Sequence, residues 1–110
     1  MRTAMRNLAL LSTALVLAIP AFGASGDPEA GRKKSTPCQA CHGPAGVSAS
    51  PEFPDLAGQH PDYLLAALRH YKNGKRKNPI MAMQVEKLTE KDMMDFAAYF
   101  SHERGLVVKY

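Results

Sequence analysis

Apolar side chains recur at the spacing of an α-helix in two segments of the chain, and together with helix-capping residues they predict three main helices. The first begins at Asp27-Pro28, which has the sequence of a helix start, and extends to about residue 36. The second covers 61–74, and the third covers 89–105. No segment shows a convincing strand pattern, so the fold class predicted is all-α.

The segments between these helices are rich in residues that interrupt regular structure. Residues 43–59 contain three prolines and three glycines, which predicts a long loop without regular elements. Residues 75–79 form a basic loop, and 80–87 are predicted to be irregular or a single turn. Long loops within small domains are usually functional, so these connections are candidates for a binding site.

The first 23 residues have the pattern of a secretory signal peptide. Two arginines precede an apolar run from Leu8 to Ile19, and small residues follow Pro20. We expect cleavage after residue 23 or 25, which leaves 24–110 as a single exported domain. An uncleaved N-terminal anchor is the alternative, although the run is short for a membrane span.

The mature segment is small for a protein with an ordinary hydrophobic core. The chain has 110 residues with four tyrosines, four phenylalanines and no tryptophan, and its net charge falls from +4 to +2 when the signal segment is removed. A domain of about 87 residues with so little aromatic mass is marginally stable by itself. We therefore expect a cofactor or a covalent link to complete the core.

The two cysteines lie in the sequence Cys38-Gln39-Ala40-Cys41-His42, which is the attachment signature of c-type haem. Two thiols three residues apart lie on one helical turn and can add to the two vinyl groups of one haem. The adjacent histidine can then supply an axial ligand to the iron. The motif predicts one covalent haem c per chain, and an export signal agrees with it.

The cysteine pair has three other interpretations. A structural disulfide between residues three apart closes a very short loop and stabilises little. A thioredoxin-type redox site requires a βαβ context, which the pattern lacks. A zinc site would need two more well-placed ligands.

A second axial ligand should come from a distant part of the chain that can reach the opposite face of the haem. The candidates are Met81, Met83, Met93, Met94, His60, His70 and His102. Met93 belongs to the apolar face of the last helix, and the histidines have simpler explanations as solvated or capping residues. Met81, predicted to lie on a loop after Pro79, is favoured by position, and Met83 is the fallback.

With these motifs in order, the chain resembles a bacterial class I c-type cytochrome, of the small monohaem periplasmic type and similar to one half of the dihaem type. The resemblance covers nearly all of residues 27–105. Its markers are Cys38-x-x-Cys41-His42-Gly43, Phe53-Pro54-Asp55-Leu56-Ala57-Gly58-Gln59, Tyr63-Leu64, Asn78-Pro79-Ile80-Met81, Leu88-Thr89-x-x-Asp92 and Ala97-Ala98-Tyr99-Phe100.

The resemblance implies roles for several residues. Met81 lies seven residues before Leu88, where the family places its iron ligand, and Pro54 matches the proline whose carbonyl accepts a hydrogen bond from the haem histidine. Gly31 and Tyr99 match the positions where the first and last helices cross. One departure is the polar segment 32–37, where the family usually has apolar side chains.

A haem ligated by histidine and methionine has no open coordination position, so the function predicted is one-electron transfer without catalysis. Two alternatives remain: a haem-bearing subunit of a larger dehydrogenase or oxidase complex, and a ligand-binding or peroxidatic haem protein. The sequence shows no catalytic constellation, and Asp92 and Asp95 are expected to be solvated charges.

Redox proteins are the expected partners, and nucleic acid is not. Five cations precede the Met81 segment without an acidic residue among them: Arg69, Lys72, Lys75, Arg76 and Lys77. They predict either an ordinary solvated helix end or a docking surface for an acidic redox partner.

Overall fold

The all-α prediction is confirmed, with two more helices than the three main ones predicted. The computed structural model describes residues 25–105, and the predicted signal peptide at 1–23 lies outside them. The helices are α1 Pro28–Lys34, α2 Thr36–His42, α3 Pro61–Asn73, α4 Pro79–Val85 and α5 Glu90–His102, with a 3₁₀ turn at Pro44–Gly46. Within this range no residue is in a β-strand, and no helix is long and apolar enough to cross a membrane.

The first predicted helix is α1, which ends at Lys34, and the segment that follows Ser35 forms a separate helix, α2. The Ser35 hydroxyl donates a hydrogen bond of 2.7 Å to the carbonyl of Arg32 and so caps the end of α1. Two residues later Pro37 has no N–H for the helical ladder, which explains why α1 does not continue. A separate helix therefore follows Ser35, and this helix, α2, carries the whole C-x-x-C-H sequence.

The segment predicted to be irregular at 80–87 is mostly helical, because its start is capped. The Asn78 side chain accepts hydrogen bonds from the N–H groups of Ile80 and Met81, at 3.0 and 3.1 Å, and Pro79 occupies the first position of α4. Met81 therefore lies in the first turn of a helix and not on a loop. The 3₁₀ turn likewise interrupts the loop predicted at 43–59.

Helices α3 and α5 begin and end close to the predicted positions. Gly74 follows α3 in the left-handed conformation, with φ of 80°. This conformation is common for a glycine that ends a helix. Thr89 and Asp92 form a reciprocal capping box at the start of α5. Met93, predicted to belong to the apolar face of the last helix, is buried together with Phe96, Ala97 and Phe100.

Helix α5 is the centre of the core, and α1 crosses it at a glycine. A Cβ atom at Gly31 would overlap the carbonyl oxygen of Asp95 and lie 2.8 Å from the Cβ of Tyr99, so only glycine permits this approach. The crossing predicted from the family resemblance is therefore present. On the other side of α5, Leu64 of α3 packs against Phe96 and Phe100.

Asp95 is buried beneath α1, so the prediction that it is a solvated charge is wrong. Its side chain is 1% exposed, and its carboxylate accepts hydrogen bonds from the Asp27 N–H (2.8 Å), Lys34 Nζ (2.9 Å) and Lys91 Nζ (2.7 Å). Lys34 also pairs with Asp92 at 2.7 Å. A polar residue of α1 is therefore part of the helix–helix contact, which explains how a first helix with few apolar side chains is fixed to the core.

These contacts lower the pKa of both carboxyl groups. Burial alone would raise the pKa of Asp95, but the hydrogen bonds from Lys91, the Asp27 amide and Lys34 together outweigh it and hold the pKa at about 2. For Asp92, the hydrogen bond from Lys34 is the main reason that the pKa falls to about 2. A carboxyl group whose pKa is lower in the folded state stabilises the fold above its unfolded pKa of about 4.

Asp95→Asn should lower the free energy of unfolding by about 2 kcal/mol at pH 7, because Lys34 and Lys91 lose their shared anion. The difference from the wild type should shrink as the pH falls from about 4 to 2, where Asp95 itself becomes protonated. Urea unfolding followed by circular dichroism at several pH values measures both effects.

Glu86→Gln is the matched control, because Glu86 is exposed and has no ion pair within residues 25–105. It should leave the free energy of unfolding nearly unchanged. A loss in Asp95→Asn that is the same at pH 7 and pH 2 would contradict the assigned charge interaction.

Candidate haem site

A cavity of about 370 Å³ separates α2 from the helices that follow it, and this volume is in the range of ligand pockets. Its lining combines residues from α2, the loop at 52–59, α3, α4 and α5. Apolar residues from several elements contribute to the lining, among them Leu56, Leu64, Ala67, Leu68, Phe96, Ala97 and Phe100. The cavity is therefore a mostly apolar space at the centre of the fold.

All three residues of the C-x-x-C-H signature that carry chemistry line this cavity. Cys38 is half-buried, Cys41 is exposed, and His42 is only 7% exposed. Since one helical turn separates Cys38 from Cys41, both thiols lie at the same wall of the cavity. The structure thus brings the predicted attachment residues and the predicted proximal ligand together.

The imidazole of His42 is oriented by the loop that follows α2. Its Nδ1–H donates a hydrogen bond of 2.8 Å to the carbonyl oxygen of Pro54, in the tautomer that leaves Nε2 free to bind a metal. The ring of Phe53 meets the imidazole edge to face, with centroids 6.4 Å apart. Pro54 therefore lies where the family resemblance predicted it, in contact with the ring nitrogen opposite the one that would ligate iron.

The two methionines favoured as the second ligand have different environments. Met81 is half-buried and lines the same cavity as His42, whereas Met83 is 74% exposed and lies outside the lining. The other candidates also lie outside it: Met93, Met94, His60, His70 and His102. Met93 is buried in the core as part of α5, as its place in the apolar pattern predicted.

Two polar residues of the site were not singled out from the sequence. The Gln39 side chain donates a 2.6 Å hydrogen bond to the Ser35 hydroxyl and accepts one of 3.0 Å from the Ala45 N–H, so it joins the two ends of the signature segment. Ser35 is completely buried. Nothing in a single sequence marks these two residues, because their partners come from different turns of the chain.

The other interpretations of the cysteine pair lack their structural context in residues 25–105. Burial raises the pKa of the Cys38 thiol, whereas redox-active cysteine pairs depend on a lowered one. No group of three or more metal-binding side chains lies together in this range, as a zinc site would require. The two sulfur atoms are not joined as a disulfide.

The fold and the site together define a haem protein of the c type, and comparisons with known proteins agree. The family model described as "Cytochrome c" matches residues 28–103. The chain belongs to the cytochrome c family. The predicted resemblance to a bacterial class I cytochrome is confirmed, and a domain of this family carries one covalently attached haem c.

Individual relatives in this family match most of this chain. Cytochrome c4 of Pseudomonas aeruginosa is 40% identical over 99 residues, which cover 89% of this chain and 49% of that protein. Cytochrome c-554(548) of Halomonas halodenitrificans is 37% identical over 82 residues, which cover 72% of this chain and 99% of that protein. The chain spans about half the length of the cytochrome c4 relatives it matches.

A solved structure shows the same fold. The crystal structure of reduced recombinant cytochrome c4 from Pseudomonas stutzeri superposes with a TM-score of 0.72 and 42% sequence identity, over 76% of this chain and 48% of that one. The match confirms the predicted class I cytochrome c fold. It also explains the size of the apolar cavity, because in this fold the haem completes the core.

The purified protein should have the mass of its polypeptide plus one haem, because Cys38 and Cys41 each form a thioether. Intact mass spectrometry measures this. Acid–acetone extraction should leave the colour in the protein pellet of the wild type, and the Cys38→Ala/Cys41→Ala double variant should release any haem that it binds. Colour in the organic phase of the wild-type extract would contradict covalent attachment.

Proposed function

We propose that the chain is a periplasmic one-electron carrier whose haem iron is ligated by His42 and Met81. The observation that carries this proposal is the shared cavity: Cys38, Cys41, His42 and Met81 all line it. When bound, haem supplies an iron that gains or loses one electron reversibly. The protein's part is to hold both axial ligands, to exclude water, and to set the electrostatic environment of the iron.

His42 is suited to the role of proximal ligand by its contact with Pro54. A histidine that donates from Nδ1 to a carbonyl is fixed in ring orientation and more basic at Nε2. A strongly bound, correctly oriented imidazole keeps the iron environment similar in both oxidation states. That similarity favours rapid electron transfer, because little rearrangement accompanies it.

Met81 is favoured over Met83 by its place on α4. Both Met81 and Ile80 donate backbone hydrogen bonds to the Asn78 side chain, so the first turn of α4 is fixed where it meets the cavity. Two residues along a helix correspond to a rotation of about 200°, which turns Met83 to the solvent side. Asn78 is therefore a positioning residue for the proposed thioether ligand.

A histidine–methionine pair leaves no coordination position for a substrate, which supports a carrier rather than an enzyme. The ligand-binding or peroxidatic alternative would require Met81 to be labile. A second candidate, a haem-bearing part of a larger dehydrogenase or oxidase complex, is favoured by one finding: the chain superposes on a thiosulfate dehydrogenase of Marichromatium purpuratum with a TM-score of 0.68 and 34% sequence identity, over 72% of this chain and 20% of that one. Co-purification with a partner, against elution as a free monomer, distinguishes these candidates.

The periplasmic location rests on the first residues of the chain. We infer that residues 1–23 are an export signal, cleaved after residue 23 or 25, and that 24–110 form one domain. Attachment of haem to a C-x-x-C-H sequence takes place outside the bacterial cytoplasm, which agrees with export. The N-terminal sequence of the purified holoprotein tests this inference.

Met81→Ala should abolish the weak red charge-transfer band of methionine-ligated ferric haem and allow carbon monoxide to bind the reduced protein at neutral pH, because it opens a coordination position. Met83→Ala is the matched control and should keep the band, since Met83 is exposed and outside the cavity. Exchange of these two results would identify Met83 as the ligand. Absorption spectra of the oxidised and reduced proteins measure both.

Fewer cations are available for the proposed docking surface for an acidic redox partner than the five that the sequence suggested. Arg69 is paired with Glu90, with 2.7 Å between Nε and Oε1, and Lys72 donates to the carbonyls of Glu86 and Leu88. Lys75 and Lys77 are exposed and have no ion pair within residues 25–105. These two lysines flank the cavity-lining Arg76, so they favour encounters of anionic partners near the haem.

Lys75→Glu/Lys77→Glu should slow oxidation of the reduced protein by ferricyanide about tenfold at low ionic strength, because the local potential changes sign. The rate with a cationic cobalt complex should rise, and salt should reduce both effects. Stopped-flow absorption at several salt concentrations measures these rates.

Lys33→Glu/Lys87→Glu is the matched control, because it changes the net charge equally at two exposed lysines outside the cavity lining. It should alter the ferricyanide rate much less. Equal effects from the two pairs would show that only net charge matters, and would remove the case for a docking surface at Lys75 and Lys77.

A further inference from the structure

The C-terminal end of α4 is fixed by a side chain of another helix. The ammonium group of Lys72, in the last turn of α3, donates hydrogen bonds to the carbonyls of Glu86, at 3.2 Å, and of Leu88. Glu86 caps the end of α4, and Leu88 directly precedes Thr89, the N-cap of α5. Lys72 therefore joins α3 to the connection between α4 and α5.

Helix α4 has no basic residue in its own last turn. The carbonyl groups at the C-terminal end of a helix lack partners within the helix and carry a partial negative charge, which a nearby cation stabilises. Within residues 25–105, Lys72 is the only residue whose side chain donates to a carbonyl of the segment 79–88. The cation that α4 lacks is thus supplied by α3.

A helix as short as α4 depends on contacts of this kind. Its seven residues are fewer than an isolated helix needs to be stable in water. The Asn78 side chain holds the first turn, and Val85, which is 1% exposed, anchors the last turn in the core. Lys72 adds a third contact, at carbonyls beyond Val85, and so opposes movement of α4 away from the cavity.

The stability of α4 matters for the iron because this helix brings Met81 to the cavity. Segments held by few contacts open locally most often, and local opening of α4 would draw the Met81 thioether away from the iron.

We propose that Lys72 is a positioning residue for Met81, and that its hydrogen bonds at the end of α4 slow the dissociation of the Met81 thioether from the haem iron. The proposal rests on ligation by Met81, as in the proposed function. Lys72 does not line the cavity, so it acts through α4 and not by contact with the haem.

The test measures how fast imidazole replaces the methionine on the ferric haem of the holoprotein. At saturating imidazole the rate of replacement reaches a limit, which is the rate at which the methionine leaves the iron. Lys72→Met removes the charge and the donors but keeps a long side chain, so this limiting rate should rise about fivefold. Stopped-flow absorption follows the loss of the weak red charge-transfer band.

Two further variants serve as controls. Lys72→Arg keeps the charge and the donors, and its limiting rate should lie within about twofold of the wild type. Lys87→Met is the matched control, because Lys87 is exposed, lies in the same connection between α4 and α5, and has no ion pair within residues 25–105. It removes an equal charge and should leave the limiting rate nearly unchanged.

Urea unfolding of the same variants separates a positioning role from general stability. A limiting rate in Lys72→Met equal to that of the wild type, whatever its free energy of unfolding, would overturn the role of Lys72, and so would an equal rise in Lys87→Met. Should Lys72→Met fail to accumulate as holoprotein, Lys72→Gln, which also removes the charge, decides by the same criterion.

The outcomes also separate this proposal from the proposed function. If the role of Lys72 fails while the charge-transfer band is present in the wild type and absent from Met81→Ala, ligation by Met81 still stands. A band that survives in Met81→Ala would overturn both proposals.

Discussion

The close approach of α1 to α5 is the contact on which the haem-binding segment depends. Gly31 lets the two backbones touch, and Asp95 then ties the start and the end of α1 to α5 through the Asp27 amide and Lys34. Since Ser35 both ends α1 and precedes α2, the direction of α2 follows from the placement of α1. The contact between α1 and α5 therefore determines that Cys38, Cys41 and His42 reach the cavity.

The cavity explains how so short a domain is stabilised. Its apolar walls come from separate parts of the chain, and α5 contributes Phe96, Ala97 and Phe100 to them. A covalently held apolar ring can occupy this space and supply the core that the side chains lack. The charged groups around the cavity divide into two kinds: Glu52 and Asp55 of one loop, and Arg76 of another. This division sets the electrostatic environment in which the iron changes its charge.

Much of the fold could be predicted from local patterns, and the errors have physical causes. Helices α3 and α5 were predicted closely, because each has a strong apolar periodicity and clear terminal residues. Helix α4 was missed, since two turns are too short to show periodicity and the signal was a single Asn78 cap. Asp95 was predicted to be solvated because its partner Lys34 is 61 residues away.

The sequence by itself determined the haem attachment, because its chemistry resides in five consecutive residues, Cys38 to His42, and needs no distant partner. It also narrowed the second ligand to a few candidates and named Pro54 through the family resemblance. Only the tertiary structure brought Met81 into the lining of the His42 cavity and left Met83 outside it. The tertiary structure also decided which cations are already paired and which, like Arg76, line the cavity without a carboxylate in residues 25–105. Charge pairing and burial depend on neighbours far apart in the chain, and a single sequence does not record those neighbours.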